Sequence, residues 1–279
     1  MSEIDLIVNC WERTVRHVVR RGYFTAIEES NCHKFRKILL INNVNDLNAT
    51  LKRADQLIAY GELDEYYIVA EKLPAALKKA NLSRGDLGEK ILHYSDAPLV
   101  AVTLESENDW LLYWDAEISL ISPFNWCTEA MFFMDENPDI IVANPSWQAG
   151  SVDREALYTT GMFSVGYGFS DQVFLARRSD LAKVQWDCRC IASLRYPLSH
   201  IAPDFEQRLD AFMRRYGKLR ATFMNATYEH PNEGSSYPFL STREYVRRRL
   251  FNTILKALEI LPGLNTPCLK INPARSLRL

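Results

Sequence analysis

Two acidic residues, Asp115 and Glu117, stand one position apart directly after an apolar run at residues 110–114. An unbroken apolar and aromatic run of this length predicts a strand that is covered on both faces. If the extended backbone continues through Glu117, the two carboxylates point to the same side, because side chains in a strand repeat every second residue. Such a pair can hold a divalent cation, which can in turn neutralise a diphosphate. The alternative is a strand that ends here with its acids in water.

The elements before this pair predict a sheet with further polar groups at the same edge. Strands are predicted at residues 4–10, 35–43, 66–71 and 98–104, with helices at residues 23–31 and 47–60. Strands that alternate with helices predict an α/β fold, in which a mostly parallel central sheet is flanked by helices.

In sheets of this kind, ligands bind beyond the carboxyl ends of the strands. Those ends carry Asn9, the polar turn at residues 42–46, and the acid pair Asp115 and Glu117. Asp46 also suits the N-cap of the helix that follows the turn. Polar groups gathered at one sheet edge favour a nucleotide site. The competing explanation is that strand ends are polar in any protein.

The second half of the chain supplies another group of acids. Asp171 and Gln172 precede an apolar strand, and Asp204 and Glu206 open an amphipathic helix. Acids at a helix start also suit the helix macrodipole, so the last two have a structural explanation as well. Glycines are frequent at residues 148–168, which is typical of loops that approach a ligand or rearrange around one.

Composition limits the classes of partner. The chain has 279 residues, of which 24% are charged, and its formal net charge is -2, so it lacks the basic signature of a nucleic-acid-binding protein. No apolar run approaches the roughly 20 residues of a membrane-spanning helix. The N-terminus lacks the basic start and apolar core of a signal peptide. We therefore expect a cytoplasmic protein without a nucleic-acid partner.

The C-terminal segment at residues 245–261 predicts one amphipathic helix with a basic face. Its apolar stripe consists of Val246, Leu250, Ile254 and Leu258, and arginines occupy much of the remaining surface. A basic amphipathic helix either lies on an anionic membrane surface or docks on its own domain. The first alternative would make the protein peripheral at the inner face of the membrane.

The order of these features resembles the nucleotide-sugar-dependent glycosyltransferases of GT-A fold, as found in bacterial polysaccharide and lipopolysaccharide assembly. The resemblance rests on the strand that ends at Asn9, the polar turn, the acid pair, and the Ser-Asp-Gln segment that precedes an acid-started helix. The chain departs from the family at two places. Glu117 stands where the family more often has a second aspartate, and Asn42 with Asn43 stands where many relatives have a diaspartate.

The resemblance implies a Rossmann-like, GT-A-like sheet and a donor site at its edge. Asn9, with Asn43 or Asp46, would contact the base or ribose of a UDP- or GDP-sugar. Asp115 and Glu117 would hold Mn²⁺ or Mg²⁺ against the donor's diphosphate, with Asp115 the firmer assignment of the two.

The resemblance also implies roles for residues nearer the acceptor. His230 would be a further metal or phosphate contact. Asp171 and Gln172 would face the sugar or the acceptor. Asp204, or failing it Glu206, would be the general base if the enzyme inverts the anomeric centre.

These inferences predict a metal-dependent glycosyltransferase acting on a glycan or lipid-linked acceptor. Residues 1–240 would form the GT-A-like domain, with a nucleotide-binding half at about 1–120 and an acceptor half at about 121–240. Residues 241–279 would form a helical tail. One alternative is a nucleotidyltransferase, which is less favoured because residues 9–13 contain no glycine-rich loop for a triphosphate. Another is a non-catalytic interaction module that has kept the fold.

Overall fold

The structure, a computed structural model, describes residues 4–148, 156–196 and 198–230, with seven further positions between residues 243 and 254. The strands are β1 (Ile4–Cys10), β2 (Arg36–Ile41), β3 (Glu65–Ile68), β4 (Trp110–Asp115), β5 (Ser119–Leu120), β6 (Ile140–Trp147), β7 (Ala156–Thr160), β8 (Phe163–Gly166), β9 (Val173–Arg177) and β10 (Leu219–Glu229). The α-helices are α1 (Val15–Val18), α2 (Tyr23–Asn31), α3 (Leu47–Ala59), α4 (Val69–Ala80), α5 (Asp96–Thr103), α6 (Trp126–Glu136), α7 (Arg178–Leu181) and α8 (Phe205–Tyr216). Short 3-10 helices span Arg84–Leu87, Glu89–Tyr94 and Ala192–Arg195.

One sheet organises the described residues. Its strands follow the order β3-β2-β1-β4-β9-β6-β10-β8-β7, and β5 pairs with β10 off this path. The first four strands in that order are parallel, as are β6 and β10. β9 runs antiparallel between β4 and β6, and β8 and β7 add an antiparallel outer edge. The predicted α/β class, with a largely parallel central sheet flanked by helices, is confirmed.

Helices cover both faces of this sheet because its strands are apolar on both sides. In β1, Leu6 and Val8 pack into a core shared with α2, α3 and α6. Ile7 points the other way, into a core shared with α4, α5 and α8. The alternation of side chains along a strand thus builds two hydrophobic layers, and the site is left to the edge of the sheet.

Residues 98–104, predicted as a strand, lie mostly in helix α5. Every residue from Asp96 to Val102 is buried, so the segment has no polar face and its sequence shows no helical period. Pro98 stands in the first turn, where a missing N–H costs no helical hydrogen bond. The predicted third strand is also too long, since β3 ends at Ile68 and α4 begins at the next residue.

The glycine-rich stretch at residues 148–168 is predicted as loops. In its described part, most of it is instead the hairpin of β7 and β8. Gly161 makes the turn of this hairpin with a φ of 54°, in the left-handed region that glycine enters without strain. Residues 149–155 lie outside the described part of the chain.

The seven described positions of the tail are helical, and six of them fall within the helix predicted at residues 245–261. The rest of residues 241–279 lies outside the described residues. Within the part of the chain that the structure describes, no helix combines the length and apolar character needed to cross a membrane.

Candidate active site

The carboxyl ends of β1 and β4 lie side by side and bring Asn9 next to Asp115. The two strands pair in parallel, with these residues opposite each other in the register. The side-chain oxygen of Asn9 is buried and accepts no hydrogen bond from a described residue. Because buried polar atoms are rarely left unpaired, we expect a ligand or a water at this oxygen.

A turn, rather than a continued strand, brings Asp115 and Glu117 together. β4 ends at Asp115, and the Glu117 N–H donates to Oδ1 of Asp115 at 2.8 Å. The expectation that an extended backbone aligns the two acids is therefore wrong. The tight turn nevertheless places their carboxylates within reach of one another.

His230 joins the two acids because β10 returns to the turn after β4. The short β5 follows this turn and pairs antiparallel with the end of β10, where Glu229 lies opposite Ser119. His230 comes directly after β10. One ligand atom from each of Asp115, Glu117 and His230 lies within 4.8 Å of the other two, and all three residues are half-buried.

The chemistry of this trio fits a divalent cation. Two carboxylates and an imidazole form a donor set that suits Mn²⁺ and, through its oxygens, Mg²⁺. Nδ1 of His230 is buried and has no hydrogen-bond partner among the described residues. Burial raises the pKa of Asp115, although the Glu117 N–H and the nearby His230 oppose the rise. A cation bound here would favour the ionised carboxylate.

The polar turn after β2 leaves Asn43 and Asp46 exposed. Asn43 has a φ of 48°, in the left-handed region that asparagine tolerates better than most residues. Asp46 caps α3 as predicted, accepting a hydrogen bond from the Ala49 N–H at 2.9 Å. Asn42 is buried instead and donates to Asp96 at 2.9 Å. Of these turn residues, Asn43 and Asp46 are therefore open to a nucleotide from solvent.

Asp171 and Glu206 contact each other on the β9 side of β4, opposite to the β1 side that carries Asn9. β9 pairs antiparallel with β4, so it starts where β4 ends, and the Asp115 N–H donates to the carbonyl oxygen of Gln172 at 2.7 Å. The Asp171 N–H donates to Oε1 of Glu206 at 3.0 Å. The two carboxyl groups also share a side-chain hydrogen bond. The structure thus places these acids at the same edge as the metal-ligand trio.

Asp204 completes this acid group and ionises at a lower pH than its neighbours. It is the N-cap of α8, accepting a hydrogen bond from the Gln207 N–H at 2.8 Å. Burial raises its pKa to about 6, and the Gln207 N–H and the Arg208 guanidinium limit the rise. Burial and nearby negative charges raise the pKa of Asp171 to about 8, and burial raises the pKa of Glu206 well above its ordinary value. Asp204 therefore ionises at a lower pH than Asp171 and is ionised at neutral pH.

Arg208 fixes the first turn of α8, which carries two of these acids. Its side chain is buried and donates to the backbone carbonyl oxygens of Pro203, Trp186 and Asp86. These acceptors belong to three separate segments of the chain. The Arg208 guanidinium therefore links the start of α8 to the 3-10 helix at Asp86 and to the loop at Trp186. These contacts hold the acids of the first turn in place.

Two residues near these acids, Tyr94 and Arg13, were not among the predicted site residues. Tyr94 ends a 3-10 helix and is 41% exposed. Burial raises the pKa of its hydroxyl, on which the charges of Arg13, Asp171 and Glu117 also act. The only feature of the sequence that sets Tyr94 apart is its position directly before Ser95, the N-cap of α5. Arg13 is hidden among four arginines within residues 13–21.

No family model matches the chain, and no curated protein matches it. Solved structures do resemble it. GalNAc-T7 with UDP, GalNAc and Mn²⁺ has a TM-score of 0.47 and 13% identity, covering 88% of this chain and 47% of that one. Glucosyl-3-phosphoglycerate synthase from Mycobacterium tuberculosis, in complex with Mn²⁺ and UDP, has a TM-score of 0.40 and 14% identity, covering 94% of this chain and 81% of that one.

A third similar structure is S. aureus TarS 1-349, with a TM-score of 0.41 and 12% identity. The overlap covers 94% of this chain and 66% of that one. The chain therefore spans only about half of GalNAc-T7 and about two thirds of the TarS fragment. At TM-scores below 0.5, these similarities leave the function of the present chain to be argued from its own residues.

Proposed function

We propose that the protein is a metal-dependent glycosyltransferase that moves a sugar from a nucleotide-sugar donor to a glycan or lipid-linked acceptor. The observation that carries the proposal is the meeting of Asp115, Glu117 and His230 beside Asn9. They meet at the carboxyl edge of parallel strands, where α/β folds bind nucleotides. A second acid group, which includes Asp204, stands across β4, where an acceptor hydroxyl could be deprotonated.

The donor would lie over the ends of β1, β2 and β4, in the half of the domain before about residue 120. Asn9, together with Asn43 or Asp46, would contact the base or ribose of a UDP- or GDP-sugar. Asp115, Glu117 and His230 would hold Mn²⁺ or Mg²⁺ against the diphosphate. The acceptor would approach from the half of the domain at about residues 121–240.

The reaction needs charge stabilisation at the leaving group and a proton acceptor at the nucleophile. A bound cation offsets the negative charge that develops on the departing diphosphate. The acceptor oxygen bonds to the anomeric carbon of the donor sugar as the bond from that carbon to the diphosphate oxygen breaks. The hydroxyl proton passes to a carboxylate, and the products are the glycosylated acceptor and a nucleoside diphosphate.

Asp204 is our choice for that carboxylate in a reaction that inverts the anomeric centre, with Glu206 as the second choice. A general base must be ionised before it can accept a proton, and it works best with a pKa near the operating pH. Asp204, with a pKa of about 6, meets both conditions at neutral pH. Burial raises the pKa of Asp171 to about 8 and that of Glu206 well above its ordinary value, which disfavours their ionised forms. A protonated Asp171 and the amide of Gln172 can donate hydrogen bonds to the hydroxyl groups of a sugar or acceptor.

A thermal-shift experiment tests the proposal. We expect UDP or GDP, and the corresponding sugar nucleotides, to raise the melting temperature in the presence of Mn²⁺ and to raise it much less in EDTA. A ligand at one hundred times its dissociation constant adds about 2.7 kcal/mol to the free energy of unfolding. Adenosine and inosine serve as controls that lack a diphosphate.

The same plate separates the competing functions. Nucleoside triphosphates that stabilise the protein far more than sugar nucleotides would favour a nucleotidyltransferase. Melting temperatures that no nucleotide changes, with or without Mn²⁺, would reject a donor site and favour a non-catalytic module.

We also propose that the tail contacts an anionic membrane surface, as a lipid-linked acceptor would require. Val246, Leu250 and Ile254 are exposed by 62%, 63% and 49%, and Arg247 and Arg249 stand beside them in the helix. An apolar stripe beside cationic side chains suits anionic lipid headgroups.

The full-length protein should float with phosphatidylglycerol vesicles but not with phosphatidylcholine vesicles, and changing the three apolar residues to serine should abolish flotation. Equal flotation of both proteins would contradict this.

A further inference from the structure

The sheet edge described above carries negative charge, which creates a problem for an anionic donor. Two carboxylates stand in the metal-ligand trio, and Asp204, which has a pKa of about 6, lies across β4. A nucleoside diphosphate carries at least two negative charges of its own. One divalent cation balances only part of this total, so a donor site here needs a further positive charge.

Hydrogen bonds hold the turn after β1 in a fixed conformation, and this turn carries a positive charge on Arg13. The Trp11 N–H donates to Oγ1 of Thr14 at 3.1 Å, and the N–H groups of Thr14 and Val15 donate back to the Trp11 carbonyl oxygen at 2.9 and 2.8 Å. Thr14 is buried beneath the turn. Arg13 sits at the exposed tip of this hydrogen-bonded turn, so the position of its backbone is fixed.

A second contact joins this turn to the neighbouring polar turn. Oε2 of Glu12 accepts a hydrogen bond from the Asn45 N–H at 2.6 Å. Asn45 belongs to the turn after β2 that also holds Asn43 and Asp46. The loops that follow β1 and β2 are thereby held together, and Arg13 has a fixed place beside the residues expected to bind the base or ribose.

Arg13 itself forms no ion pair with a described residue. Its guanidinium lies over the Trp11 ring, 5.2 Å from the ring centroid, which restrains the side chain without neutralising it. Some other arginines of the described chain are paired, as Arg21 is with Glu62, Arg36 with Asp5 and Arg177 with Asp135. Arg16 resembles Arg13 in having no ion pair with a described residue, which makes it a suitable control.

The loop that carries Arg13 lies at the same sheet edge as the metal-ligand trio. Asn9, four residues earlier, lies opposite Asp115 in the register of β1 and β4. Tyr94, half exposed, lies close enough to Arg13, Asp171 and Glu117 for all three charges to act on its hydroxyl. The loop of Arg13 and the turn of Asp115 and Glu117 therefore follow neighbouring strands at one edge of the sheet.

We propose that Arg13 is a ligand of the donor's diphosphate, which it binds from the β1 side while the cation binds from the β4 side. The proposal rests on the proposed function. A planar guanidinium donates parallel hydrogen bonds to phosphate oxygens, so a lysine would replace its charge but not its geometry. The turn after β1 would then favour nucleoside diphosphates over nucleosides.

Calorimetric titration of the full-length protein with UDP in Mn²⁺, with GDP measured in parallel, tests this assignment. Arg13→Ala should weaken binding by roughly 10- to 100-fold, the effect of losing a charged hydrogen-bonding partner. Arg13→Lys should recover part of that loss. The matched control is Arg16→Ala, which removes the same charge from an exposed position in α1, one turn further on, and should change the affinity less than twofold.

The outcomes separate the two proposals. Arg13→Ala binding UDP and GDP as tightly as the unchanged protein would overturn the role of Arg13 and leave the glycosyltransferase proposal standing. Equal losses of nucleotide affinity in Arg13→Ala and Arg16→Ala would also overturn it, because the loss of one positive charge near the site would then explain both results. If the unchanged protein binds neither nucleotide with Mn²⁺, the proposed function fails first. Melting curves of the variants establish that each is folded.

Discussion

Changing Asp115 and Glu117 together to alanine is expected to lower Mn²⁺-dependent sugar transfer by about a thousandfold or more. The two carboxylates are the anionic ligands of the trio, and His230 alone offers a single ligand atom. Without a held cation, the leaving diphosphate loses several kcal/mol of charge stabilisation. Each 1.36 kcal/mol corresponds to about a tenfold change in rate.

The measurement is release of nucleoside diphosphate, or of free sugar where no acceptor is present, from UDP- and GDP-sugars in Mn²⁺. Glu229→Ala is the matched control. Glu229 stands next to His230 and accepts a hydrogen bond from Ser119 at 3.3 Å, but it belongs outside the trio. Its removal should leave the rate nearly unchanged. Full activity in the double variant would contradict the assignment of Asp115 and Glu117 as metal ligands.

The second large effect is expected for Asp204→Asn. Loss of a general base typically lowers the rate by about 10²- to 10⁴-fold. Asparagine caps a helix about as well as aspartate, so the hydrogen bond from the Gln207 N–H and the stability of α8 should be retained. The variant therefore separates the chemical role of this carboxylate from its structural role. Glu206→Gln is the control, because glutamine preserves the shape of Glu206 and burial raises the pKa of this carboxyl well above its ordinary value, which disfavours the ionised form that a base needs.

The pH dependence of the unchanged enzyme provides an independent readout. A base with a pKa of about 6 accepts a proton only when ionised, so the rate should fall as the pH drops below about 6.

The effect of pH on the stability of the folded protein has the opposite sign. The folded state holds this proton more tightly than the unfolded chain, so the unliganded protein should lose stability as the pH rises from the ordinary value of 3.8 through about 6. Asp204→Asn should remove both dependences. A large loss in Glu206→Gln with an active Asp204→Asn would transfer the role of base to Glu206.

The fold could be predicted from the sequence where local signals were unambiguous. Branched apolar runs marked β1, β2 and β4, and Asp46 identified the start of α3 through its capping role. The alternation of strands and helices then sufficed for the fold class. α5 could not be read in this way, because a helix buried on every side loses the polar face that reveals its period.

The site was predictable as a set of polar strand ends but not in its geometry. The meeting of His230 with Asp115 depends on β5 pairing with β10, a contact between residues more than a hundred positions apart. The turn that joins Asp115 to Glu117 interrupts the strand at a place where periodicity carries no information. The place of Arg13 beside the site likewise follows from the order of strands in the sheet, which no local pattern encodes.

The antiparallel pairing of β4 and β9 also bears on which parts of the chain can change in length. Trp114 lies opposite Val173, and the Asp115 N–H holds the Gln172 carbonyl oxygen, so this ladder sets the spacing between the cation-binding turn and Asp171. One residue inserted into either strand would shift that spacing by about 3.3 Å and turn the following side chains to the opposite face. The chain between the two strands contains Glu117, β5, α6, β6 and the β7–β8 hairpin, which have partners of their own. Insertions and deletions should therefore be rejected within β4 and β9 and tolerated only in the loops that join the elements between them.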